Sequence, residues 1–399
     1  MPSTTLKFAQ TVNASPAVVY RAFTNATALR EWLAEVASVD PRPGGRFFLA
    51  WNSGYYAIGE FTKIQQEKEV AFTWKGRDDP GPTKVRLTIS PLDNGMTSFI
   101  LEHLDLNNQA EWADSFAQIE KGWTVGIRNL VSEIEEGPDL RIVNRPMMGI
   151  LFGEFEKRHA EELGIPTVTG MRIDSVVDGL GAQQAGLRKN DVVVSVEGKS
   201  IQDFPTLLSI LQNKQAGDKV EVGFYRGGEK KKVSMELSRR PIPEVPMTQG
   251  ALAAAVAKSY AMGFEELKSV LADITNEQAS HKPKADEWSI NEVIAHLIHT
   301  ERDSQLWINE LAYNQERTSD SFSGNLPARV KATAGVYGSH ESLLEELHRS
   351  QAETVALIAA LPDTFASNRG SYWRMGYQLL EYGTHTHEHT AQISDLLAK

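Results

Sequence analysis

The chain changes its pattern at Pro241-Ile242-Pro243-Glu244-Val245-Pro246. Three prolines in six residues favour an extended, semi-rigid linker, because proline fixes φ and lacks a backbone N–H. Before this stretch, apolar residues occur in short alternating runs that predict β-strands. After it, they recur every three to four residues, which predicts helices. We therefore expect a strand-rich region before residues 241–246 and a helical region after them.

The helical region, residues 247–399, is predicted to form an all-α four-helix bundle. Each of four candidate helices has 20 or more residues, as in a bundle whose helices pack side by side. Ser289 and Glu292 form a capping-box pattern that fixes the start of the second helix. The predicted helices span residues 250–274, 289–314, 339–361 and 375–397.

Histidines in this region have the spacing of a metal site. His385 and His389 are four residues apart and share one helix face, whereas His387 points away from it. With His296 from a neighbouring helix they would give three nitrogens to a divalent ion and leave positions for water or substrate. Spacing alone leaves a second interpretation open, in which they are ordinary solvated or hydrogen-bonded histidines.

Two stretches resemble the DinB-like family. Glu287-Trp288-Ser289-Ile290-Asn291-Glu292-Val293-Ile294-Ala295-His296-Leu297 resembles its second helix, and His385-Thr386-His387-Glu388-His389-Thr390-Ala391-Gln392-Ile393 its fourth. The resemblance implies a bundle in which His296, His385 and His389 bind a divalent metal: nickel, zinc or iron. Family members include thiol-dependent transferases and isomerases. This chain has no cysteine, so any thiolate must come from a substrate or cofactor. No catalytic residue is assigned.

The first 141 residues are predicted to form an α+β domain. A short helix after Ser15-Pro16, five strand-like runs and one long amphipathic pattern at residues 111–135 suggest a sheet curled around a helix. Arg42-Pro43-Gly44-Gly45-Arg46-Phe47 and Phe72-Thr73-Trp74 resemble homologues of the heat-shock-protein ATPase activator, in the START-like (SRPBCC) helix-grip superfamily. That superfamily commonly encloses an apolar ligand cavity.

Trp51, Trp74 and Trp123 would line this cavity. The alternative is that these tryptophans simply fill the core.

Residues 146–240 are predicted to form a β-barrel-like PDZ domain. Ala185-Gly186-Leu187-Arg188-Lys189-Asn190-Asp191 resembles the PDZ domains of HtrA-like proteases. The resemblance implies that the loop Met148-Gly149-Ile150 presents backbone N–H groups to the terminal carboxylate of a peptide, with Leu207 lining the groove. A structural spacer or dimer contact is the alternative.

Composition excludes several classes of function. Net charge is −11, and no segment of the 399 residues has the basic excess that nucleic-acid binding needs. The absence of cysteine excludes disulfides and thiolate metal sites. No run of 18 apolar residues and no signal pattern occur, so we expect a cytoplasmic protein without a membrane partner.

Two functions remain open at this stage. One is a metal-dependent, thiol-dependent transferase or hydrolase located in the bundle. The other is a non-enzymatic adaptor that binds a small apolar ligand and the C-terminal peptide of a protein. A homo-oligomer is compatible with both.

Overall fold

The computed structural model describes residues 4–107, 110–212, 214–284, 287–317 and 326–397, apart from the side chains of Tyr382 and Thr384. The chain forms two compact units. The first combines Met1–Asp139 with Pro243–Lys399, and the second is Leu140–Ile242. We call Met1–Asp139 the N-terminal domain, Leu140–Ile242 the middle domain and Pro243–Lys399 the bundle.

The N-terminal domain is an antiparallel sheet with helices against it. Its elements are β1 (Thr4–Val12), α1 (Pro16–Thr24), α2 (Ala26–Trp32), β2 (Val36–Val39), β3 (Arg46–Ala50), β4 (Tyr56–Gln65), β5 (Glu69–Gly76), β6 (Thr83–Pro91), β7 (Thr97–Leu106) and α3 (Ala113–Glu135). The strand order is β1-β7-β6-β5-β4-β3-β2. The predicted face of α3, including Trp123 and Ile127, packs in one core with Phe61 and Phe99. This is the predicted helix-grip arrangement.

The middle domain is a small, mostly antiparallel β-domain. Its elements are α4 (Leu140–Val143), β8 (Pro146–Met147), β9 (Ile150–Gly153), α5 (Lys157–Leu163), β10 (Met171–Val176), α6 (Gly181–Gln184), β11 (Val192–Val196), β12 (Lys199–Ser200), α7 (Phe204–Leu211), β13 (Lys219–Arg226), β14 (Glu229–Glu236) and β15 (Ser238–Arg239). The main strand order is β14-β13-β11-β10-β9, and β12 pairs with β11. β8, at the start of the domain sequence, pairs with β15 at its end.

In the described residues, the bundle contains the four predicted long helices and three shorter ones. They are α8 (Gln249–Val270), α9 (Asn276–Ser280), α10 (Ile290–Ala312), α11 (Leu326–Tyr337), α12 (His340–Ala359), α13 (Asp363–Ala366) and α14 (Arg369–Leu397). Ser289 caps α10 by accepting from the Glu292 N–H, as predicted. The predicted fold class, a multidomain α+β protein with an all-α bundle, is therefore confirmed.

Two apolar clusters form the core of the bundle. One contains Val293 and Ile298, and the other contains Ile308 and Met375. Glu301 lies on α10 between the two clusters and accepts hydrogen bonds from Tyr260 and Thr354 (3.0 and 2.8 Å). Burial raises the pKa of Glu301 to about 6. None of the helices in the described residues has an apolar stretch long enough to cross a membrane.

Candidate functional site

Three histidine side chains meet between α10 and α14. The Nε2 atom of His385 lies 3.4 Å from Nε2 of His296 and 3.0 Å from Nε2 of His389. One nitrogen from each residue lies within 4.8 Å of the others. His387 points away and contacts Glu266, with 2.8 Å between Nδ1 and Oε1. The structure therefore brings the three predicted histidines together.

This arrangement fits a divalent metal ion. Around a tetrahedral ion with metal–nitrogen bonds of about 2.0–2.1 Å, ligand nitrogens lie about 3.3–3.4 Å apart. The two Nε2–Nε2 distances, 3.0 and 3.4 Å, are close to that separation. Three nitrogens on one side of an ion leave a coordination position for another ligand.

Two of the three histidines, His296 and His385, have the protonation state that a metal needs. Burial, followed by the neighbouring His389 and His385, lowers the pKa of His296 to about 4. Burial and then His389 lower the pKa of His385 to about 4 as well. Both imidazoles are therefore neutral at pH 7, which is the form that binds metal.

Neighbouring groups orient two of the rings. Nδ1–H of His389 donates to Oε1 of Gln392 at 2.8 Å, which leaves the Nε2 lone pair of His389 toward the other histidines. The ring of His296 packs against Trp288, with 5.2 Å between the ring centres. Nδ1 of His296 is buried without a hydrogen-bond partner in the described structure.

The acidic residues near His296 in sequence make their bonds elsewhere. Glu292 completes the cap of α10 and pairs with Lys282 at 2.8 Å. Asp303 pairs with Arg329 at 2.7 Å. These carboxylates therefore stabilise the bundle, and neither hydrogen-bonds to His296.

A fourth histidine, His299, belongs to a polar cluster with α11. Arg329 donates to Nδ1 of His299 at 3.1 Å, so Nε2–H of His299 donates to Thr333 at 2.9 Å. Burial is the largest cause that lowers the pKa of His299. The spacing of three residues from His296 places His299 near the same helix face. Sequence analysis did not assign it, because its partners come from the unpredicted α11.

The predicted peptide groove of the middle domain lies at an edge strand. Gly149 has φ +76°, and the carbonyls of Met148 and Gly149 accept from Ala182 and Val177 (both 2.9 Å). Ile150 begins β9, which pairs only with β10 among the described strands. An extended peptide could therefore add to the other edge of β9.

The predicted groove residue Leu207 lies on α7. Leu207 is only 2% exposed and packs in the core, whereas Phe204, one turn earlier on α7, is 54% exposed. The peptide-binding assignment of Met148, Gly149, Ile150 and Leu207 stays a prediction.

The tryptophans of the predicted ligand cavity are close-packed. Trp74 and Trp123 line a cavity of about 20 Å³, which is room for about one water molecule. Trp51 is half-buried and donates from Nε1 to the carbonyl of Leu33 at 2.6 Å. A larger ligand would require this domain to open, so the ligand-cavity assignment stays a prediction.

Comparison with known proteins places a match in each domain. A family model described as activator of Hsp90 ATPase homolog 1-like protein matches residues 13–135. A PDZ domain model matches residues 146–237. A DinB superfamily model matches residues 261–393.

Curated relatives match a short part of the chain. A probable periplasmic serine endoprotease DegP-like from Marinomonas sp. (strain MWYL1) is 30% identical over 99 residues, 25% of this chain and 21% of that protein. Periplasmic serine endoprotease DegP from Escherichia coli (strain K12) is 27% identical over 113 residues, 28% of this chain and 23% of that protein. The chain thus spans less than a quarter of the length of either protease.

Solved structures are similar to about a third of the chain. An HSP90 activator from Plasmodium falciparum is 25% identical, with a TM-score of 0.29, over 33% of this chain and 94% of that one. A protein from Chromobacterium violaceum is 26% identical, with a TM-score of 0.28, over 34% and 98%. The chain joins, in the predicted order, a domain of the Hsp90-ATPase-activator-homologue type, a PDZ domain and a domain of the DinB superfamily.

Proposed function

We propose that the bundle is a metal-dependent transferase or hydrolase that acts on a small-molecule substrate. The observation that supports this most directly is the convergence of three Nε2 atoms from His296, His385 and His389. A divalent ion such as nickel, zinc or iron would supply Lewis acidity that lowers the pKa of a bound water or thiol. The protein would contribute three imidazole nitrogens and, through Gln392, the orientation of one of the rings.

The composition narrows the substrate class. The chain has no cysteine, so a thiol-dependent reaction would take its sulfur from a small thiol that binds with the substrate. We propose a cytoplasmic location, because the chain has no cysteine that could form a disulfide in an oxidising compartment.

The first experiment measures metal content by mass spectrometry on protein without a histidine tag. We predict about one divalent ion per chain in the wild type and a loss of most of it in the His385→Ala/His389→Ala double variant. His387→Ala is the matched control, because this residue lies on the same helix and contacts Glu266. It should keep its metal.

Two results would contradict the metal assignment. One is a metal-free wild type after reconstitution with nickel, zinc and iron in turn. The other is equal metal in the wild type and the double variant. If the metal is present, displacement of a bound water by azide or a small thiol separates an open site from a closed structural one.

A second candidate function is that of an adaptor that captures the C-terminal ends of peptides in its middle domain. Such an adaptor could also bind a small apolar ligand or a second copy of the chain. It is supported by the edge of β9 that pairs with none of the described strands, and by the loop held at Gly149. We predict that a pool of random peptides with free C-termini is retained more strongly than the same pool with amidated ends.

Gly149→Ala should abolish this difference between the two pools. A Cβ atom at Gly149 would lie 2.5 Å from Cβ of Leu180, and φ is +76°. Gly198→Ala is the matched control, because Gly198 also has positive φ (+73°) but has open space around it. Equal retention of both pools by the wild type would refute capture through the carboxylate.

A further inference from the structure

The N-terminal domain and the bundle share a junction built around Glu316, which follows α10. Oε2 of Glu316 accepts from Arg30 of α2 and from Arg374 of α14, both at 2.8 Å. Oε1 of Glu316 accepts from Trp307 at 2.7 Å. One carboxylate thus holds cationic groups from two domains. Burial alone would raise the pKa of Glu316, but Arg374, Trp307 and Arg30 outweigh it and lower this pKa.

A second set of bonds lies beside the first. Arg21 of α1 contacts Glu31 at 3.2 Å and donates to Ser371 of α14 at 3.1 Å, and Ser371 also donates to Glu31. Arg21 further donates to the Asn314 side chain at 2.7 Å, and Asn25 donates to the Asn314 carbonyl at 3.1 Å.

These contacts resemble the inside of one domain more than a loose contact between two. The side chains of Arg30, Glu31 and Ser371 are buried although all are polar. Buried charges are tolerated where each is paired, and removing one partner of such a pair is strongly destabilising. The first turns of α14 are therefore packed as part of both domains.

The middle domain is connected differently. Its terminal strands pair, so that Pro146 lies opposite Arg239 and the chain leaves the domain close to where it enters. Within the first unit, Gly137 lies against Trp373 and Val245 lies against Gly376, one turn along α14. The chain thus leaves the first unit and returns to it at two points that lie close together. This is the arrangement of an inserted domain.

We infer that the N-terminal domain and the bundle are one cooperative folding unit, joined at Glu316, into which the middle domain is inserted. Any ligand that binds only the folded bundle then stabilises the N-terminal domain to the same degree, and the reverse holds as well. This inference is independent of whether the histidines bind metal.

Hydrogen exchange of the metal-free, full-length protein in increasing guanidinium chloride tests the inference. Peptides that cover β6, α10 and β11 report on the N-terminal domain, the bundle and the middle domain. We expect β6 and α10 to lose protection at the same denaturant concentration. Loss at clearly different concentrations in the wild type would overturn the inference.

Variants locate the coupling. Glu316→Ala should accelerate exchange of β6 and α10 together, by at least about tenfold, and leave β11 unchanged. Glu345→Ala is the matched control, because its pair with Arg349 is exposed on both sides, and it should change nothing. Acceleration confined to β6 or to α10 would contradict a shared unit, and acceleration of β11 would contradict the insertion.

A milder variant covers the case in which Glu316→Ala does not fold. Thr27→Ala removes only the acceptor of the Glu316 N–H, a bond of 3.1 Å between the two domains. In Thr27→Ala, β6 and α10 should again change their exchange together, by a smaller amount than in Glu316→Ala. A shift of β6 alone in this variant would likewise contradict a shared unit.

Discussion

His103 lies at the centre of the N-terminal domain and is 0% exposed. Nε1–H of Trp123 donates to Nδ1 of His103 at 2.9 Å. The proton of the neutral His103 ring is therefore on Nε2, which donates to the Thr83 hydroxyl at 2.7 Å. The ring is thus fixed in one neutral form. Burial lowers the pKa of His103 to about 4.

This histidine should make the N-terminal domain sensitive to acid. Its pKa in the folded chain is about 4, below about 6.5 when unfolded, so the unfolded chain binds more protons between these values. Its contribution to stability is therefore complete above about pH 6.5 and is lost as pH falls toward 4. Between pH 7.5 and 5 the loss amounts to about 2 kcal/mol.

Comparison with His103→Gln isolates this effect. A glutamine side chain can accept from Trp123 and donate to Thr83 but does not titrate in this range. Chemical denaturation at pH 7.5 and pH 5 measures the free energy of unfolding of both proteins. We expect the wild type to lose about 2 kcal/mol more than the variant, and an equal loss would rule out His103 as the cause.

At the three-histidine site, the sequence was sufficient to predict which histidines meet and insufficient to predict the residues around them. The spacing of His385 and His389 on a helix, together with the DinB-like resemblance, predicted which residues meet. The partners of His299 could not be predicted, because Arg329 and Thr333 are 30 and 34 residues away on a helix whose apolar residues do not form one stripe. Local periodicity carries no information about such contacts.

At the scale of elements, the strongly amphipathic segments were predicted well. The predicted helix at residues 289–314 is α10 to within two residues at each end. The edge strands β1 and β2 and the helix α11 were not predicted. In α11 only Val330 and Thr333 are buried, so no apolar stripe reveals it.

The long helix α14 connects several parts of the molecule. Its first turns contact the N-terminal domain, and its later turns carry His385 and His389. Glycine lets it approach its neighbours closely. A Cβ atom at Gly376 would lie 2.4 Å from Val245 and 3.3 Å from Leu252.

Gly376→Ala should therefore destabilise the bundle, by about 1–3 kcal/mol, through overpacking. Gly335→Ala in α11 is the matched control, because the space around Gly335 is open. Here alanine should stabilise by up to about 1 kcal/mol, as it does inside exposed helices. Thermal and chemical unfolding of both variants would measure these opposite changes in the free energy of unfolding. A stabilising effect of Gly376→Ala would disprove the close packing.

For the whole molecule, the order of the domains was predictable and their grouping was not. Each domain has its own motifs, which the sequence displays directly. The junction depends on Arg30, Glu316 and Arg374, which are separated by 286 and 58 residues. Each resembles an ordinary surface charge in the sequence, and only the folded chain shows that they meet.

The pairing of β8 with β15 has a mechanical consequence. If the middle domain holds the tail of another protein, tension on that tail reaches the rest of the chain through two adjacent strands, at Pro146-Met147 and Ser238-Arg239. This ladder has two residues on each strand, and a load pulling its ends apart would open it one hydrogen bond at a time.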